Sequence, residues 1–230
     1  MTCERNIWAV LPVKEIDDAK SRLAHQCSPV FRRDLQRAML EDVLDALTRT
    51  AALAGIVVVS VDRHAQVVAT RYGARVFEDG ARDGHTRAVM AAARRLASEG
   101  RAGMLTVPAD VPAIAATEIA RVLAAHDQAP AFTIVPSHDG RGSNAIVVSR
   151  PDAVELAFGN DSFVAHLCAA RRAGIEPTIV TSPGIALDID HPVDLARLMR
   201  TTSGPRTAAF LLGQSMNGTP TWDAAMQAER

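Results

Sequence analysis

The stretch Gly55–Val61, with the sequence GIVVVSV, decides the fold class of the chain. Its β-branched residues lie between a glycine and Asp62, which is typical of a strand buried on both faces. Before it, apolar residues recur at helical spacing and predict an amphipathic helix from the Ser28-Pro29 cap to about Thr50. After it, Asp62 begins a second predicted helix that ends near Gly73. Helices and strands therefore alternate around this stretch.

The rest of the chain alternates in the same way. Short apolar runs predict further strands at Ile7–Val13, Ala74–Phe77, Met104–Val107, Phe132–Val135, Ala145–Ser149 and Ile175–Thr181. Apolar spacing and capping residues predict further helices at Thr86–Ser98, Thr117–Ala125, Asp161–Ala173 and Pro192–Met199. Strands separated by helices of this length form parallel sheets. We therefore expect an α/β fold with a mainly parallel central sheet and helices on both faces.

The composition excludes several classes of protein. The 230 residues suffice for one sizeable domain, and 48% apolar with 22% charged residues indicates a globular chain rather than a disordered one. A formal net charge of −1 provides no basic field for a nucleic acid, and the longest apolar runs are too short to cross a membrane. No secretory signal is visible, and the three cysteines lack CxxC spacing, so we expect a cytoplasmic protein.

The chain changes character near residue 200. We expect residues 1–200 to form one domain and residues 201–230 to form a C-terminal extension, because turn signals accumulate beyond Thr201. The strongest apolar features of the extension are Ala208–Leu212 and Trp222. They predict that it packs on the domain or on a partner subunit, or is partly mobile, and they hint at a homodimer.

The loop after the first strand holds both lysines of the chain and one arginine. Of the 25 basic residues, only Lys14 and Lys20 are lysines, and Arg22 lies beside the second of them. Lysine is a compact point charge that suits phosphate oxygens, so this loop is a candidate triphosphate site. The chain has neither GxxxxGK[ST] nor GxGxxG, which excludes the usual P-loop and dinucleotide motifs. A solvated basic loop is the alternative interpretation.

Three aspartates follow predicted strands or apolar stretches. Asp110 lies in the PADVP segment, and Asp188 and Asp190 lie in LDIDHP. If this second segment is extended, its two carboxylates share one face about 7 Å apart, where they repel each other unless a cation lies between them. An all-oxygen set of this kind suits Mg²⁺ or Mn²⁺ rather than zinc. The alternatives are that Asp110 forms a turn and that Asp190 caps the next helix.

Two further segments could bind an anion. Ser143 follows a glycine-rich turn, and Gly159 and Ser162 lie where a helix begins, so their backbone N–H groups could face a small phosphorylated acid. An ordinary hairpin loop and a simple helix cap are the competing interpretations. His166, one turn into the helix, either faces this site or only packs in the core.

Taken together, five motifs resemble one protein family. PVKxxxxAKSRL, PADVP, GxGSNA, FGxDSxxxH and LDIDHPxDL occur in this order, within a match that spans about residues 7 to 199. They are similar to the 2-phospho-L-lactate guanylyltransferase family of deazaflavin coenzyme F-420 biosynthesis. Five ordered motifs are more specific than any one of them.

The resemblance implies a Rossmann-like nucleotidyltransferase fold of the GT-A-like type. It also implies a site for Mg²⁺ or Mn²⁺ at Asp110, Asp188 and Asp190, an acceptor site at Ser143, Gly159 and Ser162, and a GTP site at Lys14, Lys20, Arg22, Gly84 and His85. Of the GTP-site residues, the first three are the implied catalytic cations. The segment Asp83–Arg87 departs from the family, because His85 and Thr86 replace a common Leu-Asn pair. This departure fits an altered acceptor such as 3-phospho-D-glycerate.

The implied reaction transfers GMP from GTP to the phosphate of a three-carbon phospho-acid and releases pyrophosphate. The acceptor is 2-phospho-L-lactate, phosphoenolpyruvate or 3-phospho-D-glycerate. A phosphate monoester is already largely dianionic at neutral pH, so it needs no dedicated base to attack. Two alternatives stay open: another nucleotidyltransferase or sugar-nucleotide-dependent transferase of the same fold, and a non-catalytic nucleotide-binding protein.

Overall fold

Seven strands form one sheet in the computed structural model, which describes residues 6–16, 20–159, 161–201 and 204–216. The strands are β1 (Ile7–Pro12), β2 (Gly55–Val59), β3 (Arg75–Phe77), β4 (Gly103–Thr106), β5 (Phe132–Pro136), β6 (Ser143–Ser149) and β7 (Thr178–Ile179). The α-helices are α1 (Pro29–Thr48), α2 (Arg63–Arg71), α3 (His85–Ser98), α4 (Ala116–Ala124), α5 (Ser162–Arg172), α6 (Pro183–Ala186), α7 (Pro192–Leu198) and α8 (Pro205–Met216). A short 3₁₀ helix spans Ser21–Leu23.

The sheet is mainly parallel, as the alternation of helices and strands predicts. Its order is β3-β2-β1-β4-β6-β5-β7. β1 pairs in parallel with β2 and β4, β2 with β3, and β5 with β7. β6 runs antiparallel to both of its neighbours, β4 and β5. The short loop 137–142 reverses the chain directly after β5 and so accounts for the second of these pairings.

The central strands are buried on both faces. Val58 and Leu11 belong to the core under α1, α2 and α4, whereas Val57 and Val10 belong to the core under α3 and α5. Successive side chains of a strand point to opposite faces, so a continuous β-branched run fills both cores. Each fully buried aliphatic side chain contributes about 1.5–3 kcal/mol to folding. The doubly buried strand predicted from GIVVVSV and the α/β fold predicted from the alternation of strands and helices are therefore confirmed.

Most element boundaries lie within two residues of the predicted ones, and the caps explain several of them. Ser28 accepts a hydrogen bond from the backbone N–H of Phe31, and Asp62 accepts one from Ala65. The predicted strand Ile175–Thr181 is too long, because only Thr178–Ile179 pairs with the sheet, at its exposed edge.

The first part of the C-terminal extension lies on the domain. Helix α8 packs against α1, where the carboxylate of Asp42 accepts hydrogen bonds from the backbone N–H groups of Arg206 (3.1 Å) and Thr207 (2.8 Å). The Gly204 N–H donates to the Pro112 carbonyl at 2.6 Å. Trp222 lies outside the described residues, and a homodimer stays a prediction. Within the described ranges, no helix combines the length and the apolar character needed to span a bilayer.

Candidate active site

Three adjoining cavities open near the carboxyl ends of β1 and β4, the edge of a sheet at which α/β proteins bind ligands. We name them the cationic cavity (about 350 Å³), the central cavity (about 500 Å³) and the outer cavity (about 510 Å³). The cationic cavity lies beside the first loop of the chain, the central cavity lies between β4, β6 and α5, and the outer cavity lies beside the loop 137–142. Arg22 and Asp190 line all three, so the cavities form one continuous site.

Every site residue predicted from the sequence lines this site. The cationic cavity is lined by Lys14, Lys20, Arg22, His85, Asp110 and Asp190. The central cavity shares all of these except Lys20 and adds Gly84, Ser143, Gly159, Ser162 and Asp188. Segments that are far apart in the sequence are therefore brought together, while the role of each residue stays a prediction.

The backbone explains how the aspartates converge. The N–H of Ile189 donates a hydrogen bond to the carbonyl of Asp110 at 3.0 Å, which joins the LDID segment to the loop after β4. Ile189 is fully buried in a third apolar cluster with Leu187 and Leu211. Because side chains alternate in this extended segment, burying Ile189 turns Asp188 and Asp190 toward the central cavity.

Lys20 lies between two of the carboxylates. Its ammonium donates to the carboxylate of Asp110 and, at 3.1 Å, to that of Asp190, and its side chain is only 4% exposed. Arg22 binds the other oxygen of Asp190 at 2.8 Å. Burial opposes the charge of Lys20, but the two carboxylates outweigh it and raise the pKa of the ammonium above 10.5. Burial likewise opposes the charge of Asp190, but Lys20 and Arg22 lower the pKa of that carboxyl below its ordinary value.

The pKa of Asp188 is shifted in the opposite direction to that of Asp190. Burial raises the pKa of its carboxyl, and the negative charges of Asp110 and Asp190 raise it further. The Asn144 amide donates to Asp188 at 3.0 Å and opposes this rise only in part. Sequence reasoning missed Asn144, although it follows Ser143 directly in the GxGSNA motif. A cation near Asp188 would relieve the repulsion among the three carboxylates.

The donor set fits a hard divalent cation. The Oδ1 atom of Asp110 is buried without a hydrogen-bond partner, and all three candidate ligands are carboxylates, which Mg²⁺ and Mn²⁺ prefer. In the described part of the chain, however, no three acidic, histidine or cysteine side chains are arranged to hold an ion as they stand. The Lys20 ammonium supplies the positive charge between Asp110 and Asp190.

The part of the central cavity near Ser143 is built from neutral groups. Ser143 Oγ lies 3.0 Å from His166 Nδ1, and the backbone N–H of Ala157 donates to His166 Nε2 at 3.0 Å. His166 is fully buried, and burial lowers the pKa of its imidazole to about 4. His166 therefore does not line the cavity itself but is hydrogen-bonded to a residue that does.

The segment before Gly159 is fixed by Thr86, which stands where the family pattern differs. Thr86 Oγ1 accepts a hydrogen bond from the Phe158 N–H at 2.9 Å. The Phe158 ring contacts the imidazoles of His85 and His166, with centroid separations of 4.5 and 4.8 Å. Burial lowers the pKa of His85 to about 4. Sequence reasoning did not find the part played by Thr86, because it acts on a backbone group distant in the chain.

One predicted helix cap lacks its side-chain hydrogen bond, and the alternative interpretation of Asp190 as a helix cap is wrong. Asp161 occupies the N-cap position of α5, but its side chain does not cap the helix and instead binds Arg141 at 2.7 Å. Asp190 does not cap α7, since His191 occupies the N-cap position and Asp194 accepts from the backbone N–H of both His191 (2.7 Å) and Asp190 (3.1 Å). The carboxylate of Asp190 is therefore available to Lys20 and the cavity.

Comparison with known proteins gives one consistent result. Residues 7–227 match the family model described as "Guanylyl transferase CofC like". The match includes most of the C-terminal extension, so the expectation that the resemblance ends at Met199 is wrong. The chain is 38% identical to the phosphoenolpyruvate guanylyltransferase of Rubrobacter xylanophilus over 194 residues, which cover 84% of this chain and 93% of the relative. Five further relatives at 31 to 37% identity carry the same enzyme name.

Two further proteins are informative: a relative named for another acceptor, and a solved structure of similar fold. The 3-phospho-D-glycerate guanylyltransferase of Colwellia psychrerythraea is 30% identical over 86% of this chain and 93% of its own length. A solved 4-diphosphocytidyl-2C-methyl-D-erythritol synthase superposes with a TM-score of 0.59 at 18% identity, covering 84% of this chain and 97% of that one. This structural likeness confirms the nucleotidyltransferase-like fold.

Proposed function

The chain belongs to the family of CofC-like guanylyl transferases, and from this membership we propose that it transfers GMP from GTP to phosphoenolpyruvate in coenzyme F-420 biosynthesis. The observation that carries the proposal is the meeting of two unlike cavities at shared carboxylates. Asp110 and Asp190 line both the cationic cavity and the central cavity. A triphosphate in the first and a phospho-acid in the second would therefore meet where charge can be balanced.

The cationic cavity would hold the triphosphate of GTP. Lys14, Lys20 and Arg22 supply three positive charges there, and GTP and the acceptor are both polyanions that repel each other. Charge neutralisation and in-line alignment are the main catalytic requirements for phosphoryl and nucleotidyl transfer. No protein base is required, because the acceptor phosphate is already largely dianionic at neutral pH.

Asp110, Asp188 and Asp190 would hold Mg²⁺ or Mn²⁺ together with the phosphate oxygens. Such an ion, when bound, neutralises phosphate charge and orients the displacement at the α-phosphorus. The unpartnered Oδ1 of Asp110 and the raised pKa of Asp188 both support a cation at this position. Lys20, which now binds Asp110 and Asp190, would then be free to donate to a phosphate oxygen instead.

The acceptor would lie in the central cavity. Ser143 and Ser162 each offer a hydroxyl to the central cavity. The first backbone N–H groups of α5 are already used, since Ser162 donates to the Gly159 carbonyl (3.3 Å) and Phe163 to the Arg141 carbonyl (2.9 Å). Gly159 has φ +155°, a conformation that favours glycine, and a Cβ there would meet no atom within 4 Å. These residues would hold the carboxylate and the phosphate of a three-carbon acid while the metal-binding carboxylates face its phosphate.

The relatives favour phosphoenolpyruvate among the three acceptors. The relatives between 31 and 38% identical carry this enzyme name, whereas the 3-phospho-D-glycerate enzyme is 30% identical. The three acids differ by one or two small groups, so one or two contacts worth roughly 1–3 kcal/mol can decide among them. The replaced pair at His85 and Thr86, which fits 3-phospho-D-glycerate, makes that acid the first competitor to test. A cytoplasmic location, where GTP is available, belongs to the same proposal.

A competition assay tests the proposal. The purified protein is incubated with Mg²⁺, one of GTP, CTP or UTP, and equal concentrations of the three acids, while pyrophosphate and product masses are measured. We expect GTP-dependent pyrophosphate release and a product mass that corresponds to guanylated phosphoenolpyruvate. Turnover with CTP in place of GTP would instead support another nucleotidyltransferase of this fold. If no nucleotide and acid give pyrophosphate, a non-catalytic binding protein is the better interpretation.

A further inference from the structure

We propose that His166 is a positioning residue that makes the Ser143 hydroxyl a fixed hydrogen-bond donor toward the acceptor. This inference rests on the proposed function, because it assigns His166 a role in the acceptor site of that reaction. The observation that carries it is a directed relay of hydrogen bonds from the Ala157 N–H through the His166 ring to Ser143.

The direction of the relay follows from its first member. A backbone N–H can only donate, so His166 Nε2 must accept from Ala157. A neutral imidazole carries one ring proton, which then has to be on Nδ1. The Nδ1–H therefore donates to Ser143 Oγ, 3.0 Å away.

The surroundings keep the ring in this form. His166 has no exposed surface, and the Phe158 ring lies against it with a centroid separation of 4.8 Å. Burial lowers the pKa of the imidazole to about 4, so the ring is neutral near pH 7. The charged groups lining the cavity are Lys14, Arg22, Asp83 and the three aspartates of the candidate metal site, and none of them is hydrogen-bonded to the ring.

The consequence falls on the proton of Ser143. Its oxygen accepts from His166, and among the described contacts the hydroxyl has no second partner. Ser143 lines the central cavity, so its proton can be donated to an oxygen of the bound anion. A bound anion requires hydrogen-bond donors rather than acceptors. A hydroxyl that is already fixed as a donor loses less rotational freedom when the anion binds than a freely rotating hydroxyl does.

Two substitutions separate the two hydrogen bonds of the ring. An asparagine amide lies near the Nδ1 position of histidine, so His166→Asn can still donate to Ser143 but loses the acceptor for Ala157. A glutamine amide reaches the Nε2 position, so His166→Gln can still accept from Ala157 but loses the donor to Ser143. The two variants therefore show whether His166 acts by orienting the Ser143 hydroxyl or by supporting the backbone at Ala157.

We expect His166→Gln to raise the KM of the acceptor about tenfold, as fits the loss of one oriented hydrogen bond, with the KM of GTP unchanged. We expect His166→Asn to change the acceptor KM less than about threefold. The reverse order, with His166→Asn the worse enzyme, would show that His166 only supports the backbone and would overturn the proposal. Equal acceptor KM values in both variants and the wild type would overturn it as well.

A Ser143→Ala background and a spectroscopic measurement complete the test. In Ser143→Ala, the further change to Gln at position 166 should no longer alter the acceptor KM, because the hydroxyl is already absent. In the unsubstituted protein, ¹⁵N NMR of the histidine rings should show His166 protonated at Nδ1, and an Nε2–H form would overturn the proposal even if both variants fail to fold. If the wild type has no turnover, the proposed function fails, whereas normal wild-type turnover with an Nε2–H ring fails this inference alone.

Discussion

At the end of the site that includes the cationic cavity (the cationic end), full charges face each other, whereas at the end near Ser143 (the neutral end) neutral groups share hydrogen bonds. Lys20 lies between Asp110 and Asp190, and one oxygen of Asp110 is buried without a partner. At the other end, His166 uses both ring nitrogens, and Thr86 holds the Phe158 backbone. The two ends adjoin in one continuous site, yet they are stabilised by different interactions.

The difference concerns what each end requires before it can bind substrate. Charges in a partly buried site are costly unless they are paired, so the proposed binding of a polyanion and a metal ion would require the cationic end to exchange partners. The neutral end forms its internal hydrogen bonds without substrate and leaves the Ser143 proton for a ligand, and such a network holds its donors in place beforehand. The first end is expected to respond strongly to ions and charge changes, and the second to shape and hydrogen-bond direction.

The largest expected effect is that of Asp188→Asn. This substitution keeps the size of the side chain but removes one of the three carboxylates proposed to hold the metal ion. We expect kcat to fall on the order of 10³-fold, equivalent to about 4 kcal/mol of transition-state stabilisation. Pyrophosphate release at saturating GTP and Mg²⁺ measures it. A variant with more than a tenth of the wild-type rate would remove Asp188 from the metal site.

A smaller but more specific effect is expected for Lys20→Met. Without the ammonium, Asp110 and Asp190 repel each other, and we expect the free energy of unfolding to fall by about 1–3 kcal/mol in the absence of Mg²⁺. Added Mg²⁺ should then raise the melting temperature of this variant more than that of the wild type. Lys14→Met is the matched control, because Lys14 lines the same cavity and makes no ion pair with any described residue. Equal responses of both variants to Mg²⁺ would contradict the placement of the ion.

The buried histidines and Lys20 should lose their contributions to stability at opposite extremes of pH. His166 and His85 have pKa values of about 4 in the folded chain, below the ordinary value of 6.5, so the unfolded chain binds more protons between these values. Stability from each neutral histidine is present above pH 6.5 and falls by up to about 3 kcal/mol as the pH drops to 4. Lys20 has a raised pKa, so its contribution is present below pH 10.5 and is lost only in stronger alkali. Urea unfolding should give a flatter profile from pH 6.5 to 4 for His166→Asn than for the wild type.

The smallest expected effect lies at the mouth of the site. Arg141 binds Asp161 at 2.7 Å, but both side chains are 64% exposed. An exposed ion pair contributes about 0.2–1 kcal/mol and is screened by salt. Arg141→Ala should therefore change the acceptor KM by no more than about threefold, and 0.5 M NaCl should abolish the difference. A larger change that persists in high salt would mean that Arg141 contacts the substrate.

Features that depend on local sequence patterns could be predicted, whereas features that depend on contacts between distant segments could not. The run GIVVVSV and the alternation in LDID are local patterns, and each predicts both a conformation and the side that its residues face. Asp188 and Asp190 could therefore be assigned to one face before the structure was known. The antiparallel β6 and the short β7 were harder to foresee, because strand order depends on contacts between distant segments.

The neutral end was less predictable for the same reason. The Phe158 backbone N–H donates to the side-chain hydroxyl of Thr86, which is distant in the sequence, and no periodicity predicts such a bond. Asp161 shows the converse, since it has the residue type and position of a helix cap, yet Arg141 binds its carboxylate instead. A local signal of this kind fails where a charged partner from another loop competes for the same side chain.

Helix α8 carries a consequence for the order in which the site can be completed. Gly204 binds the Pro112 carbonyl just beyond Asp110, and Leu211 joins the apolar cluster beneath the LDID segment. During synthesis on a ribosome, the strands and the candidate metal aspartates emerge before Gly204 and helix α8 do. A nascent chain that stops near residue 200 would have every predicted site residue. It would lack Gly204 and α8, whose contacts with Pro112 and with α1 join the loop after Asp110 to α1.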